Sequence, residues 1–256
     1  MQPIRTFEKD SLTVRIYPDR AQMGAAAAQD AADLLRRLLS EQSQVRAVFA
    51  AAPSQNEFLQ ALCEAPGIDW SRVTAFHMDE YIGLDPAAPQ GFGNFLRERI
   101  LGRLPFAQVF YLDGNAPDPA AECRRYGGLL AQAPLDVVFL GIGENGHIAF
   151  NDPPVADFQD PYAVKVVKLD EVCRNQQVHD GCFARLDQVP THALTLTVPT
   201  LAGAKHLLCI VPAAAKAAAV QNTVEGPVAD ACPASILRTR PGAVLYLDSD
   251  SARLLK

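Results

Sequence analysis

The stretch LDVVFLGIGENGHIAFNDPP, residues 135–154, joins an apolar segment to a glycine-rich loop. The apolar segment has no helical period and is typical of a strand that is covered by helices on both faces of a parallel sheet. Gly141, Gly143 and Gly146 follow it, and residues without a side chain allow the backbone to approach another group closely. His147 lies in the same loop. We therefore expect a buried strand whose carboxyl end forms one wall of a ligand site.

Outward from this stretch, predicted strands alternate with predicted helices along almost the whole chain. The strands are expected at 12–17, 45–52, 72–78, 109–114, 135–143, 163–170, 192–198, 205–211 and 242–248, and the helices at 20–42, 55–65, 91–104, 119–132 and 212–226. This alternation predicts the α/β class, with a single doubly wound, mostly parallel sheet flanked by helices in a Rossmann-like arrangement. One domain is expected over residues 1–256. Ligands of such sheets bind beyond the carboxyl ends of the strands.

Composition excludes several classes of partner. The 256 residues carry a formal net charge of −6, and no run of lysine or arginine is longer than a pair, so no nucleic-acid partner is expected. No apolar stretch approaches the roughly 20 residues of a membrane span, and the N-terminus lacks a signal-peptide apolar region. The six cysteines have neither C-x-x-C nor zinc-site spacing, which favours reduced thiols. We expect a cytoplasmic protein without a membrane partner.

The segment HMDEYIGL places two acidic residues directly after the strand predicted at 72–78. A solvated acidic turn is the ordinary interpretation of such a pair. However, Met78 and Tyr81 would partly remove Asp79 and Glu80 from water. A carboxylate in that setting acquires a raised pKa and can act as a general base.

His147 is the only histidine in a glycine-rich setting, and its loop also supplies Asn145 and Asp152. A structural loop histidine is the simpler interpretation. Either neighbouring side chain could instead hold the imidazole in one tautomer, as the third member of a catalytic triad does. We favour a catalytic histidine.

The segment AAPSQNEFL places Ser54 between a strand and a helix, with Glu57 three residues later. This spacing predicts a capping box, with Ser54 as the N-cap. The start of a helix also binds anions through its free N–H groups, and Gln55 and Asn56 could add donors. A cap without ligand-binding function explains Ser54 equally well.

Together these segments resemble the glucosamine-6-phosphate deaminase family, within the superfamily that it shares with 6-phosphogluconolactonases. AFHMDEYIGL resembles the family's F-N-M-D-E-Y-V-G-L, and LGIGENGHIAFNDPP resembles G-x-G-x-[DN]-G-H-I-[AG]-F-N-E-P. Residues 216–248 follow the family's lysine helix, V-E-G turn and final strand. The lactonases keep the G-H but lack the M-D-E-Y and the I-A-F-N, which favours the deaminase branch.

The resemblance implies an aldose–ketose isomerisation followed by loss of ammonia. His147 would open the sugar ring, and Asp79 would move a proton from C2 to C1, giving fructose 6-phosphate and ammonia. Asn145 and Asp152 match the positions that orient the histidine, although Asp152 replaces a usual glutamate. Lys216 matches a lysine that contacts the phosphate. No metal or cofactor is implied. Further substrate contacts are expected at Ser54, Gln55, Asn56, Glu80, Gly143 and Gly146.

Two departures from the family pattern concern the phosphate. The family's P-T-G-G-[ST]-P loop reads PSQNE here, so that Gln55 and Asn56 are expected to fill space that glycines leave for phosphate oxygens. The arginine of the family's N-S-R-F-F segment has no counterpart. His179 aligns with it, and Gln177 lies beside it. A lost charged hydrogen bond weakens binding by about 1.5–3 kcal/mol, so altered substrate anchoring is expected.

Two other functions remain open from the sequence. A lactone hydrolase would use His147 to activate water and would not need Asp79. A sugar-phosphate sensor would keep the fold and lose turnover, as the altered phosphate loop would allow. In each case the partner is a small-molecule sugar phosphate, and the sequence is compatible with a homo-oligomer.

Overall fold

The computed structural model describes residues 1–256. The strands are β1 (Arg5–Lys9), β2 (Leu12–Tyr17), β3 (Val45–Phe49), β4 (Val73–His77), β5 (Asp79–Tyr81), β6 (Gln108–Phe110), β7 (Val137–Leu140), β8 (Val164–Lys168), β9 (His192–Leu196), β10 (His206–Val211) and β11 (Ala243–Asp248). The helices are α1 (Arg20–Glu41), α2 (Asn56–Glu64), α3 (Phe92–Leu96), α4 (Pro119–Leu130), α5 (Glu171–His179), α6 (Val198–Ala202) and α7 (Ala217–Glu225). A π-helical turn, Arg97–Leu101, continues α3. No helix of the protein is both long enough and apolar enough to cross a membrane.

The main sheet contains eight strands in the order β1-β2-β11-β10-β7-β3-β4-β6. Every neighbouring pair is parallel except β1 and β2. The chain runs outward from β3 to β4 and β6, returns to β7, and continues on the other side with β10 and β11. This order confirms the predicted doubly wound, mostly parallel sheet. The carboxyl ends of β3, β7 and β10 meet where the direction of winding changes, which is where such sheets bind ligands.

Strand β7 shows why its sequence is continuously apolar. Val137 and Phe139 belong to one apolar core, whereas Val138 and Leu140 belong to the core on the opposite face of the sheet. Successive side chains of a strand point to opposite faces. Because both faces of β7 are covered, all four side chains are buried.

A second, three-stranded antiparallel sheet has the order β5-β9-β8. Two of its strands are those predicted at 163–170 and 192–198, which therefore exist but lie outside the main sheet. The third, β5, consists of Asp79–Tyr81 and follows β4 after one residue, Met78. Apolar alternation indicates a strand but not its partner, so the sequence alone did not separate the two sheets.

Helix α5 was not predicted, because its buried face is polar. Of its nine residues, Cys173, Gln176 and Gln177 are buried. Their spacing is helical, but two of the three are glutamines, so a search for apolar periodicity passes over them. The short elements β1 and α6 were missed as well.

Candidate active site

The loops that follow β3, β4, β7 and β10 enclose a cavity of about 440 Å³, and the end of α5 closes one side. Its walls contain residues that the sequence singled out in four separate segments. Those that reach the cavity are Ser54, Asp79, Gly143, His147 and Lys216. The parallel sheet brings them together because all four loops leave its carboxyl edge.

The imidazole of His147 is held from behind by two side chains of its own loop. Its Nδ1 lies 2.8 Å from Asn145 Oδ1 and 2.9 Å from Asp152 Oδ1. Asn145 Nδ2 donates to the same Asp152 oxygen at 2.9 Å. Since Nδ1 faces two acceptors, it carries the proton, and Nε2 remains available as a proton acceptor. Burial opposes ionisation of Asp152. The interactions with His147 and the hydrogen bond from Asn145 outweigh burial and lower the pKa of Asp152.

The glycines of this loop make room for the imidazole. A Cβ at Gly143 would lie 2.2 Å from His147 Nε2, so any other residue would displace the ring. Gly146 has φ +85°, and a Cβ there would lie 2.8 Å from Cys232 Sγ. Gly143 lines the cavity, whereas Gly146 does not. The expectation that Gly146 contacts substrate is therefore replaced by a role in shaping the loop.

Asp79 is the first residue of β5, where the chain passes from the main sheet to the small one. Its side chain is buried at the cavity wall and makes no hydrogen bond to another protein group. Burial raises its pKa well above the ordinary carboxyl value, and the neighbouring charge of Glu80 raises it further. An unpaired carboxylate with a raised pKa is a strong base once it is ionised.

Glu80 points away from the cavity, contrary to the prediction that it contacts substrate. Its carboxylate accepts the backbone N–H groups of Tyr81 at 3.0 Å, Phe92 at 3.1 Å and Gly93 at 2.8 Å. Burial opposes its ionisation, but the imidazole of His77, 3.5 Å away, and the backbone hydrogen bonds lower its pKa. The adjacent carboxylates thus have different surroundings, because successive residues of β5 face opposite sides.

The predicted capping box is absent. Pro53–Gln55 forms a 3₁₀ turn that leads directly into α2, and the Ser54 side chain caps neither element. Glu57 is used elsewhere: its carboxylate accepts from Arg20 Nε at 2.7 Å and from Arg20 Nη2 at 2.8 Å. The Ser54 hydroxyl accepts from Gln55 Nε2 at 3.2 Å, and the residue lines the cavity.

Gln55 and Asn56 do not occupy space in the cavity, which corrects both predicted contacts. Gln55 is buried, and its Nε2 donates to the backbone oxygen of Ile210 at 3.0 Å, tying this loop to β10. Asn56 Oδ1 accepts from Arg99 Nε at 2.8 Å. The side chains that replace the family's glycines are directed into the scaffold.

Lys216 presents a buried ammonium group to the cavity from the turn before α7. Its Nζ makes no hydrogen bond or ion pair with the protein, although the residue is only 6% exposed. Burial lowers its pKa, and the charges of Asp180 and Glu144 oppose that shift. An anionic ligand in the cavity would stabilise the charged form of this buried group.

Other cavity residues were not anticipated from the sequence. Arg20 and Arg99 lie in the wall, and the guanidinium carbon of Arg99 stacks 3.8 Å from the ring centroid of Phe95. Gln177 also lines the cavity. His179, which aligns with the family's arginine, is exposed and lies 3.6 Å from Glu144 outside the cavity. The sequence had marked Gln177 only as a neighbour of the position that aligns with the family's arginine, and the helical spacing of the buried residues in α5 adds a second signal.

One group of side chains has donors that suit a metal ion. His147, Asp152 and Cys173 each offer an atom, and these atoms lie within 4.8 Å of one another. Imidazole, carboxylate and thiolate are ligands of zinc. Ligation through Nδ1 would require that nitrogen to lose the proton it directs at Asn145 and Asp152. The three residues therefore either bind a cation or keep the imidazole in its present tautomer.

The family profile described as glucosamine-6-phosphate isomerases/6-phosphogluconolactonase matches residues 18–246. The chain belongs to this family. A glucosamine-6-phosphate deaminase of Exiguobacterium sp. (strain ATCC BAA-1283 / AT1b) is 40% identical over 185 residues, covering 72% of this chain and 71% of the relative. A glucosamine-6-phosphate deaminase of Listeria innocua serovar 6a is 34% identical over 212 residues, covering 83% of this chain and 88% of the relative.

Solved structures of the isomerase/lactonase family have the same fold. A monomeric glucosamine-6-phosphate deaminase superposes with a TM-score of 0.86 at 28% identity, covering 94% of this chain and 99% of that one. The 6-phosphogluconolactonase of Thermotoga maritima gives a TM-score of 0.74 at 18% identity, covering 93% of this chain and 99% of that one. The second similarity shows the shared fold alone.

Proposed function

We propose that this member of the isomerase/lactonase family is an amino-sugar-phosphate deaminase that converts glucosamine 6-phosphate and water to fructose 6-phosphate and ammonia. The observation that carries the proposal is one cavity holding an unpaired buried carboxylate, a histidine of defined tautomer and an unpaired ammonium group. Relatives at 34–40% identity carry the name glucosamine-6-phosphate deaminase.

His147 would open the pyranose ring. Its Nε2 accepts the proton of the O1 hydroxyl and returns it to the ring oxygen as the C1–O5 bond breaks. The carboxylate of Asp152, which lies 2.9 Å from Nδ1, would stabilise the imidazolium that forms between the two proton transfers. The hydrogen bonds behind the ring thus support both proton transfers.

Asp79 would carry out the isomerisation of the open-chain sugar. Its carboxylate takes the proton from C2 and delivers it to C1, while O1 gains a proton and the amino group loses one, which leaves a ketose imine at C2. Water adds to the imine, and ammonia leaves. The raised pKa of Asp79 supports this role, because a more basic carboxylate removes a carbon-bound proton more readily.

Lys216 would hold the phosphate, with Ser54 and the turn around it supplying neutral donors. Both side chains line the cavity, and neither has its full set of partners within the protein. Arg99, which Asn56 holds against the same wall, would add a second positive charge. This cation reaches the cavity from a different element than the arginine that the family uses.

Ammonia release from a panel of 2-amino-2-deoxyhexose 6-phosphates tests the proposal, with the unphosphorylated sugars as controls. We expect release from glucosamine 6-phosphate and formation of an equal amount of fructose 6-phosphate. Hydrolysis of 6-phosphogluconolactone, assayed in parallel, addresses the second enzyme class. Lactonase activity without ammonia release, retained in Asp79→Asn, would overturn the proposal.

We also infer that residues 1–256 act as one domain in the cytoplasm, with a small sugar phosphate as partner and no nucleic acid. The six unpaired cysteines support a reducing compartment. A homo-oligomer remains a prediction, and one solved relative is described as monomeric. Sedimentation equilibrium distinguishes the two states.

A further inference from the structure

Two adjacent glutamines near the end of α5 are buried, but only one has partners. Gln176 Oε1 accepts the backbone N–H of Glu144 at 2.8 Å, and its Nε2 donates to Asp180 at 3.3 Å. Gln177 is only 7% exposed, and its carboxamide makes no hydrogen bond to any protein group. It lines the cavity that contains Asp79, His147 and Lys216.

The amide atoms of Gln177 are not among the fully enclosed polar atoms that lack a partner, so they keep contact with the space of the cavity. The remaining exposure of Gln177 is directed at the cavity, so the missing partner lies there. A carboxamide offers two N–H donors and one acceptor and carries no charge. The partner is therefore a polar group of whatever molecule fills the cavity.

The position of Gln177 indicates which end of the ligand it meets. Its helix runs on into Asp180, and the charges of Asp180 and Glu144 oppose the burial that lowers the pKa of Lys216. Gln176 bridges the same two acidic residues. Gln177, Asp180 and Lys216 line the same cavity, so the carboxamide shares this space with the unpaired ammonium group.

We propose that Gln177 determines specificity by donating its carboxamide N–H to the phosphate of the substrate beside Lys216. This rests on the proposed function, in which the ligand is a sugar phosphate. A neutral donor then makes part of the phosphate contact that the missing arginine would make, while His179 lies outside the cavity.

The test compares Gln177→Ala and Gln177→Glu with Asn175→Ala, a carboxamide on the same helix that does not line the cavity. We expect Gln177→Ala to raise KM for the phosphorylated sugar about 10-fold with kcat within about 2-fold, the loss of one hydrogen bond to a charged group. Gln177→Glu removes the donors and adds a negative charge, so KM rises further. Calorimetric binding of inorganic phosphate should weaken in the same order.

Thermal unfolding without ligand separates this role from a structural one. Gln177→Ala removes no protein hydrogen bond, so Tm should stay unchanged or rise. Gln176→Ala breaks two hydrogen bonds and should lower Tm. A Tm loss in Gln177→Ala, or a KM effect equally large for unphosphorylated sugars, contradicts the proposal.

The failure of this proposal is distinguishable from failure of the proposed function. If the wild type releases ammonia and Gln177→Ala leaves both KM and phosphate affinity unchanged, the assignment of Gln177 is wrong. If the wild type releases no ammonia from any amino-sugar phosphate, the proposed function is wrong. Phosphate calorimetry then decides on Gln177 alone: weaker binding by Gln177→Ala supports the contact, and equal binding rejects it.

Discussion

His147 Nδ1 lies 2.9 Å from Asp152 Oδ1, and this contact assigns the proton of the imidazole. The family pattern that this loop resembles has glutamate where this chain has Asp152. The aspartate carboxylate still reaches the ring at this distance. The same oxygen accepts from Asn145 Nδ2 at 2.9 Å, so the side chains of His147, Asp152 and Asn145 form a closed hydrogen-bonded group.

Asp152→Asn should lower kcat by about 10²-fold with little change in KM, because an amide cannot stabilise the imidazolium as a carboxylate does. The defect should be larger for the cyclic substrate than for an open-chain analogue, since His147 acts in ring opening. Steady-state kinetics with both substrates measures it. Equal losses for the two would place His147 in a different step.

Asp79→Asn should abolish isomerisation, lowering kcat by about 10²–10⁴-fold or more, because an amide cannot accept the C2 proton. Solvent deuterium should no longer enter C2. In the wild type, kcat/KM should fall as the pH is lowered through the raised pKa of Asp79, above the ordinary carboxyl range. Normal turnover by the variant would exclude Asp79 as the base.

The same substitution should raise Tm at neutral pH. The folded-state pKa of Asp79 lies above the unfolded value of 3.8, so ionisation costs more in the folded protein. The wild type bears this cost at neutral pH, and the amide does not. The gain should shrink as the pH falls and vanish below the unfolded pKa. Thermal melts at several pH values, with the exposed Asp187→Asn as control, give the comparison.

Lys216 should make substrate binding weaken at alkaline pH. Burial lowers the pKa of its ammonium, and the neutral amine formed above that pKa no longer attracts the phosphate. KM should therefore rise with pH in the wild type. Lys216→Arg, whose guanidinium does not titrate in this range, should show a flatter KM profile. A profile shared by both proteins would assign the pH dependence to another group.

Arg99→Ala should raise KM for the phosphorylated sugar by about 3–10-fold and leave unphosphorylated sugars almost unaffected, because the guanidinium faces the cavity wall. Arg103→Ala is the matched control: this arginine lies one turn later and outside the cavity. Inhibition by inorganic phosphate provides a second readout. Equal effects of the two substitutions would indicate a general influence of surface charge.

Ala213 has φ +84° and ψ 145° at the cavity wall, a conformation that favours glycine. Its N–H donates to Asp248 at 3.1 and 3.0 Å, which holds the strained backbone in place. Ala213→Gly should raise the free energy of unfolding by about 1 kcal/mol. Ala218→Gly, in α7, should lower it by about 0.5–1 kcal/mol. Urea denaturation measures both free energies of unfolding. A lower value in Ala213→Gly than in the wild type would show that the backbone at Ala213 is not strained.

Much of the chemistry could be read from the sequence, because it depends on local order along the chain. Apolar strands that alternate with helices predict a parallel sheet, and the residues after each strand must gather at its carboxyl edge. Asp79, His147 and Lys216 each follow such a strand, so their meeting in one cavity was predictable. The spacing of Asn145 and Asp152 around His147 was equally local.

Tertiary structure decided where neighbouring side chains point. Gln55, Asn56 and Glu80 belong to the expected loops, yet each is bonded to a distant partner: Ile210, Arg99, and the start of α3. The second sheet, and the helix that turns Gln177 into the cavity while leaving His179 in solvent, also depend on contacts distant in sequence. Local sequence limits which conformations a segment can adopt, but hydrogen-bond partners and burial are properties of the assembled fold.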